Sequence, residues 1–506
     1  MTVIQITALR VFAILCAFWI DIGAAAQPVF FEVERDVHIK SSQADYVVRS
    51  RSVTAEKDRL LAAGVMGELR PTVELNMFND VVMRGVVEQS TPTSSGYALA
   101  GVIDGLTPSS MTIVVNGDVI VGEIHTPSAV YLIRTASSGR YTILEMDPRI
   151  LHFTDGDCGT TAPEVAIHPG AAIEQKFEDL GVIGERTIGS KPNDMPAAES
   201  GVYTPQTRQQ VDFVALPEDT TCKGLEEQPN VVDMLVVYTH DAVTEAQGKD
   251  QLLALFDQGL AYTNLALSSS GVKVSLRITG TFQTDYIETG NKNTDLARLS
   301  GKDDGYMDDV HPMRNACIAD IVYLVVGRSN VRGVASTSVP FGLIRSDALV
   351  GVWAHEIGHN FGVLHDRWTH YEFEKNSGPT SYRHAHAIYP APEGATFDCY
   401  LTRVAYNTRC GPEATFYFLQ RFSNPNNLFL GVPMGIEGSQ LVTGVDGPSN
   451  AVRIMNQSSE RLMNQRPRAR LELLYEAIVD SPTMRRMLLE EQGMASSRMP
   501  RPSLAQ

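Results

Sequence analysis

His355, Glu356, His359, Gly362 and His365 stand in the order HExxHxxGxxH within a chain of 506 residues. An α-helix turns once every ~3.6 residues, so histidines four apart stack on one face and can turn ring nitrogens toward one ion. Glu356 follows the first histidine directly, where a carboxylate reaches water at that ion without binding the ion, the position of a general base. Gly362 can adopt a positive φ, which lets the helix stop and the chain bend so that His365 returns as a third ligand. Three neutral imidazoles leave a tetrahedral ion one position for water, as catalytic rather than structural zinc is held. The expected cofactor is one catalytic Zn2+, and the expected chemistry is hydrolysis.

These side chains need a rigid support. Leu349, Val350, Val352, Trp353, Ile357 and Phe361 give the motif an apolar flank that would bury its helix in a core. Such a helix would not carry three histidines and a glutamate unless something satisfied them. Upstream, Val231–Tyr238 reads as a buried strand, residues 251–267 carry apolar side chains at helix spacing, and residues 272–282 alternate as a strand. Residues 296–314 are helical but broken at Gly305, and Ile321–Val326 is an unbroken apolar run suited to a central strand. Strand, helix, strand, helix, strand and then the motif helix predict an α/β layer, a twisted mixed sheet with the metal site at its edge. Residues 334–339, between the last strand and the motif, are either an edge strand open to an extended peptide or a surface loop.

The amino-terminal part has another pattern. Residues 73–78, 97–103, 111–115 and 130–133 are short β-type runs, and Asn116-Gly117-Asp118 is a hairpin turn signal, so a mostly β domain is expected over 27–161. Residues 162–229 turn polar with little periodicity and read as a linker containing a processing point. The catalytic domain is placed at 230–456 and a tail at 457–506. Asn456-Gln457-Ser458 is an N-glycosylation triplet. The arginine-bearing segments at 471–478 and 484–489 are either amphipathic helices for a membrane or partner, or a solvated terminus.

Residues 1–26 have the layout of a secretory signal: Arg10, an apolar run over 11–20, then Ala24-Ala25-Ala26. That run is half the ~20 residues that span a bilayer, so a soluble exported protein, extracellular or periplasmic, is expected. A net charge of -17 argues against a nucleic-acid partner. Leaving out Cys16 in the signal, five cysteines remain: Cys399 with Cys410 is the first disulfide expected and Cys222 with Cys317 the second. Cys158 is then left over. Its thiolate could occupy the fourth zinc position and latch a zymogen, or it could join an ordinary disulfide.

With these residues in place the chain resembles the metzincins, in the reprolysin-like branch where aspartate follows the third histidine, here His365-Asp366. More narrowly it is similar to the bacterial peptidyl-Asp metalloendopeptidase group. The resemblance runs over about residues 233–455, including DMLVVYT, DGYMDDVH at 304–311, and RFSNPN at 421–426. It implies an endopeptidase made as a secreted precursor: an α/β metzincin-like catalytic domain behind a mostly β pro-domain. His355, His359 and His365 would hold zinc, Glu356 would serve as base, and Asp366 would orient structure behind the ligands. A peptide or protein would be the substrate, and the processed chain a monomer without stable membrane insertion. One position departs from the pattern, since metzincins place a methionine in a tight turn beneath the zinc and Val404 stands there in this chain. Valine should loosen that floor more than abolish the chemistry. Two rivals follow: a secreted protein of this fold that binds peptides or surfaces without catalysis, and a zinc enzyme acting on something other than peptides.

Overall fold

Alternation of side chains across a pleated strand accounts for most of the architecture. The computed structural model describes residues 29–33, 46–65, 70–148, 221–222, 228–337, 339–348, 350–411 and 413–465. The expectations for the signal segment, most of the linker, Cys158 and the segments at 471–478 and 484–489 lie outside the described residues.

In the amino-terminal part, nine strands form one antiparallel sheet: β1 (Phe30–Glu32), β2 (Val47–Ala55), β3 (Thr72–Phe78), β4 (Val81–Pro92), β5 (Gly96–Ile103), β6 (Ser110–Asn116), β7 (Val119–His125), β8 (Val130–Ser137) and β9 (Arg140–Met146). Their order is β1-β2-β9-β8-β7-β6-β5-β4-β3. Asn116 pairs with Val119, so Gly117 and Asp118 form the two-residue loop the turn signal predicts, with Gly117 at φ 62°. Leu99, Met111, Ile113 and Val115 point into a core on one side of this sheet. Ala98, Ala100, Val114 and Val121 point to the other. A short helix, α1 (Lys57–Gly64), joins the first core through Leu60 and Ala63.

The second part is built on a six-stranded sheet of order β10-β12-β11-β13-β15-β14. Its strands are β10 (Thr221–Cys222), β11 (Val231–Tyr238), β12 (Ser275–Gln283), β13 (Ile321–Val326), β14 (Gly333–Ala335) and β15 (Phe341–Arg345). β12, β11, β13 and β15 run parallel, and β10 and β14 are antiparallel at the two edges. Both faces are covered. Met234, Val236, Ile321, Tyr323 and Val325 pack with α3 (Lys249–Ser270), α6 (Val350–Asn360) and α7 (Ala451–Met463). Leu235, Val237, Val322 and Leu324 pack with α4 (Lys292–Ser300) and α5 (Val310–Ala316). α2 (His240–Glu245) is a short helix of 6 residues after β11, capped by Thr239. The architecture is therefore a mixed α/β sheet layered with helices, preceded by a mostly β region, and α4 and α5 separate where Gly305 stands at φ 84°. Residues 334–339 divide: among the described ones Val334 and Ala335 belong to the edge strand Gly333–Ala335, and the others lie outside it.

Beyond the motif helix come three small strands, β16 (Ala387–Ile388), β17 (Cys399–Leu401) and β18 (Phe416–Phe418), then the hairpin β19 (Asn424–Phe429) and β20 (Val432–Met434). Disulfides join Cys222 to Cys317 and Cys399 to Cys410. α7 runs past residue 456, the expected end of the catalytic domain, and buries Leu462. The Asn456 side chain accepts from the backbone of Lys273 at 2.8 Å and donates to Gly271 at 3.2 Å, and Ser458 is buried, so the triplet has a structural part in this helix.

Candidate metal centre

Apart from His355, Glu356, His359 and Asn360, the residues of α6 are apolar or glycine, and all of them are buried, as in a helix that is stable only inside a core. The helix ends as the sequence predicts. The Gly362 amide donates to His359 O at 2.8 Å and the Val363 amide to Gly358 O at 3.0 Å, with Gly362 at φ 95°. His365 is thereby folded back beneath the helix. Ligand atoms of His355, His359 and His365 all lie within 4.8 Å of one another, and all three residues are buried. Ring centroids stand 5.0, 5.4 and 4.9 Å apart around the triangle.

Several contacts fix which nitrogen faces inward. His359 Nδ1 donates to Val363 O at 2.8 Å, leaving Nε2 as the lone-pair atom. His365 Nδ1 is held by the Glu374 carboxylate, and His365 Nε2 is buried with no hydrogen-bond partner among the described residues. A buried polar atom in that state costs roughly 1–3 kcal/mol unless something accepts its lone pair. Burial, and next the neighbouring His359 and His365, push His355 well below the ordinary histidine value. Burial and His365 bring His359 down to about 3. Both rings are therefore neutral at physiological pH, the form in which imidazole can bind a metal, and the donor set suits a zinc ion.

Glu356 is fully buried one residue after the first ligand. A Cβ on Gly333 of β14 would stand 2.7 Å from Glu356 Oε1, so glycine at that strand position leaves the carboxylate its room.

The floor beneath the ligands comes from the segment after β17. Val404 is fully buried at φ 75°, unusual for a β-branched residue. Its Cγ2 lies 2.5 Å from where a Cβ on Gly358 would be, so it fills the gap under the turn joining His355 and His359. Tyr406 stacks on His365 at 4.4 Å and on His355 at 5.6 Å. Asp366 ties this floor to the helix end. Its Oδ2 accepts from the Tyr406 amide at 3.0 Å and from Thr369 Oγ1 at 2.7 Å, and its Oδ1 accepts from the Thr369 amide at 3.1 Å.

Other supporting residues carry no sequence signal of their own. Glu374 reaches His365 because a π-helical turn, Thr369–Phe373, precedes it and its amide closes onto Thr369 O at 2.7 Å. Burial would raise the Glu374 carboxyl, but the hydrogen bond from His365 and the surrounding imidazoles hold it below its ordinary value. His384 Nδ1 donates to His365 O at 2.8 Å. From α7, Ser458 donates to Phe361 O at 2.6 Å and Arg461 to Asn360 O at 3.2 Å, capping the end of α6. The two disulfides lie away from the three histidines in sequence and bring no ligand to them.

The matching stretch of known proteins coincides with this sheet and helix. Residues 228–391 match the family model described as Metallo-peptidase family M12. With its three-histidine site, this segment is similar to the metallopeptidase domains of that family. Among individual proteins, the chain is similar to a peptidyl-Asp metalloendopeptidase of Stenotrophomonas maltophilia strain K279a, 35% identical over 215 residues that cover 41% of this chain and 48% of the relative. A peptidyl-Asp metalloendopeptidase of Xanthomonas campestris pv. campestris is 27% identical over 347 residues, 66% of this chain and 67% of the relative. The chain spans about half the length of the Stenotrophomonas relatives it matches. A solved structure of metalloproteinase-II from Bacteroides fragilis aligns with a TM-score of 0.32 at 9% identity, over 59% of this chain and 83% of that one.

Proposed function

We propose that the protein is a secreted, zinc-dependent endopeptidase in which Glu356 is the general base. The observation that carries this reading is the convergence of His355, His359 and His365 within 4.8 Å, beside a fully buried glutamate on the same helix. Zinc, when bound, supplies the Lewis acidity that brings the pKa of water to about 7 and polarises the scissile carbonyl. Glu356 accepts the proton of the attacking water and returns it to the leaving amine. Gly333–Ala335, the terminal strand of the sheet, offers main chain next to Glu356 along which an extended substrate can lie. Val404 and Tyr406 keep the ligand rings in place from below. Export is supported by the signal-like segment at 1–26 and by two disulfides, which persist in oxidising compartments.

The peptidase activity is supported by the names of the relatives. A binding-only protein of this fold would have no use for a buried glutamate whose space depends on a glycine. The test is degradation of a mixed peptide library with and without a chelator, with the cut sites sequenced. Cleavage abolished by chelation and restored by zinc is the expected result. Absent or chelator-insensitive cleavage would favour the binding protein, and cut sites clustered beside aspartate would extend the likeness to specificity.

A further inference from the structure

α3 has two apolar faces that serve different partners. Leu252, Phe256, Leu260 and Leu267 face the sheet of the metallopeptidase part. Ala254, Ala261 and Leu265 face Ala98, Ala100, Val114 and Val121 of the amino-terminal sheet, and all seven of these residues are at most 4% exposed. Small side chains on both surfaces let helix and sheet approach closely. Three hydrogen bonds cross the seam, although Gln258 Oε1 and Thr112 Oγ1 are buried there with no hydrogen-bond partner among the described residues. Fully buried Gln258 donates to Thr112 O at 3.1 Å, Gln251 accepts from the Thr135 amide at 2.8 Å, and Asn116 donates to Asp257 at 3.3 Å.

We propose that the amino-terminal sheet is a non-covalently retained subunit of the metallopeptidase domain, held by the β5–β8 face on α3. It would steady α6 through Glu123. Separation would expose an apolar surface on both pieces, which is unfavourable in proportion to its area. The centre of the seam is apolar and desolvated with hydrogen bonds around it, the composition of a lasting interface rather than of a transient one. The sheet also reaches the start of the motif helix. Glu123 is 2% exposed, holds His125 Nε2 at 2.6 Å, and turns its other oxygen toward the Val350 amide at 3.5 Å, at the amino terminus of α6. A carboxylate there favours the helix through its dipole. α3 continues the path, because a Cβ on Gly259 would stand 3.0 Å from the ring of Trp353 in α6.

The experiment severs the chain without removing either part. A recognition sequence for a site-specific protease is placed within residues 162–220 of the full-length protein, in a Cys158→Ser background so that no thiol joins the halves. The cut protein is then passed over a sizing column. Co-elution of both fragments in equal amounts, persisting on dilution to nanomolar concentration, is expected. A sheet fragment that elutes alone overturns the proposal, whatever becomes of the other half. Two variants separate the causes. Ala261→Glu should release the fragment after cutting, and Val114→Glu asks the same of the sheet side should the first fail to fold. Retention in both would refute the α3 seam. Glu123→Ala should speed amide exchange over the first turn of α6 by roughly two- to fivefold, and unchanged exchange would remove Glu123 from the account. None of these readouts depends on peptidase activity.

Discussion

Glu356 follows His355 in the helix and Glu374 holds His365, so the two have different work. Glu356 is one residue from His355, inside the helix, where a carboxylate can move a proton but the metal is held by others. Replacing it with alanine should therefore leave metal content unchanged while turnover falls about 10²–10⁴-fold, the usual worth of a positioned base. Equal turnover in metal-loaded Glu356→Ala would end that assignment. Glu374 acts through His365, fixing the Nδ1 proton so that Nε2 faces inward. Outer partners of this kind are worth about 10–100-fold in metal affinity. Glu374→Ala should weaken zinc by that factor in a chelator competition, and Glu374→Gln, which keeps an acceptor oxygen, should lose less. The first glutamate is written into the motif spacing. The second is not, since it reaches the ring only through a π-turn and sits nine residues past its partner, outside any helical repeat.

At the scale of elements, the motif helix was legible because its chemistry and its periodicity coincide in one stretch. The hairpin at Asn116 and the strands at 231–238 and 321–326 were legible for a similar reason, each being a local pattern with a local cause. Strands such as β2 and β4 were harder to see, because polar residues such as Arg49, Arg51 and Gln89 interrupt their runs while one sheet face still packs. The docking of α3 on the amino-terminal sheet left no pattern, since alanines on a helix announce no partner. The reach of α7 past residue 456 was hidden too, because Ser458 and Arg461 look like solvent residues until their bonds to the end of α6 are seen. The Val404 position shows how sequence and geometry combine. The departure from methionine is visible in the chain, but the cavity it fills depends on Gly358, which the ligand spacing does not require. Gly358→Ala would drive a methyl into Val404 and Phe422 on the helix turn between two ligands. We expect a loss of about 1–3 kcal/mol in stability together with weaker zinc binding. A stable variant with unchanged affinity would mean the floor moves freely.

Across the molecule, the same burial that keeps the imidazoles neutral makes the fold sensitive to acid. Burial lowers His370 and His386 to about 4 and His384 well below its ordinary value, and it lowers His355 and His359 as well. For a base whose folded pKa is depressed, the unfolded chain binds more protons between the two values. The stabilisation is thus complete above the unfolded value near 6.5 and drains away as pH falls toward the folded values near 4 and below. Each pKa unit is about 1.4 kcal/mol, so His370 and His386 amount to a few kcal/mol each, on the order of a domain's whole margin. The metal-free protein should show a urea midpoint that is level around neutrality and falls steeply from pH 6.5 to 4. With zinc present the fall should be steeper, because protons and the ion compete for three of these rings. His386 belongs to neither the ligand triangle nor its carboxylate, and its Nδ1 meets Ser449 Oγ at 3.0 Å. His386→Asn should reduce the slope by up to about one proton in metal-free and zinc-loaded protein alike. A flat profile from pH 7 to 5 would show that these rings are solvated, and with that the closed pocket around the three ligands would be lost as an explanation for their neutrality.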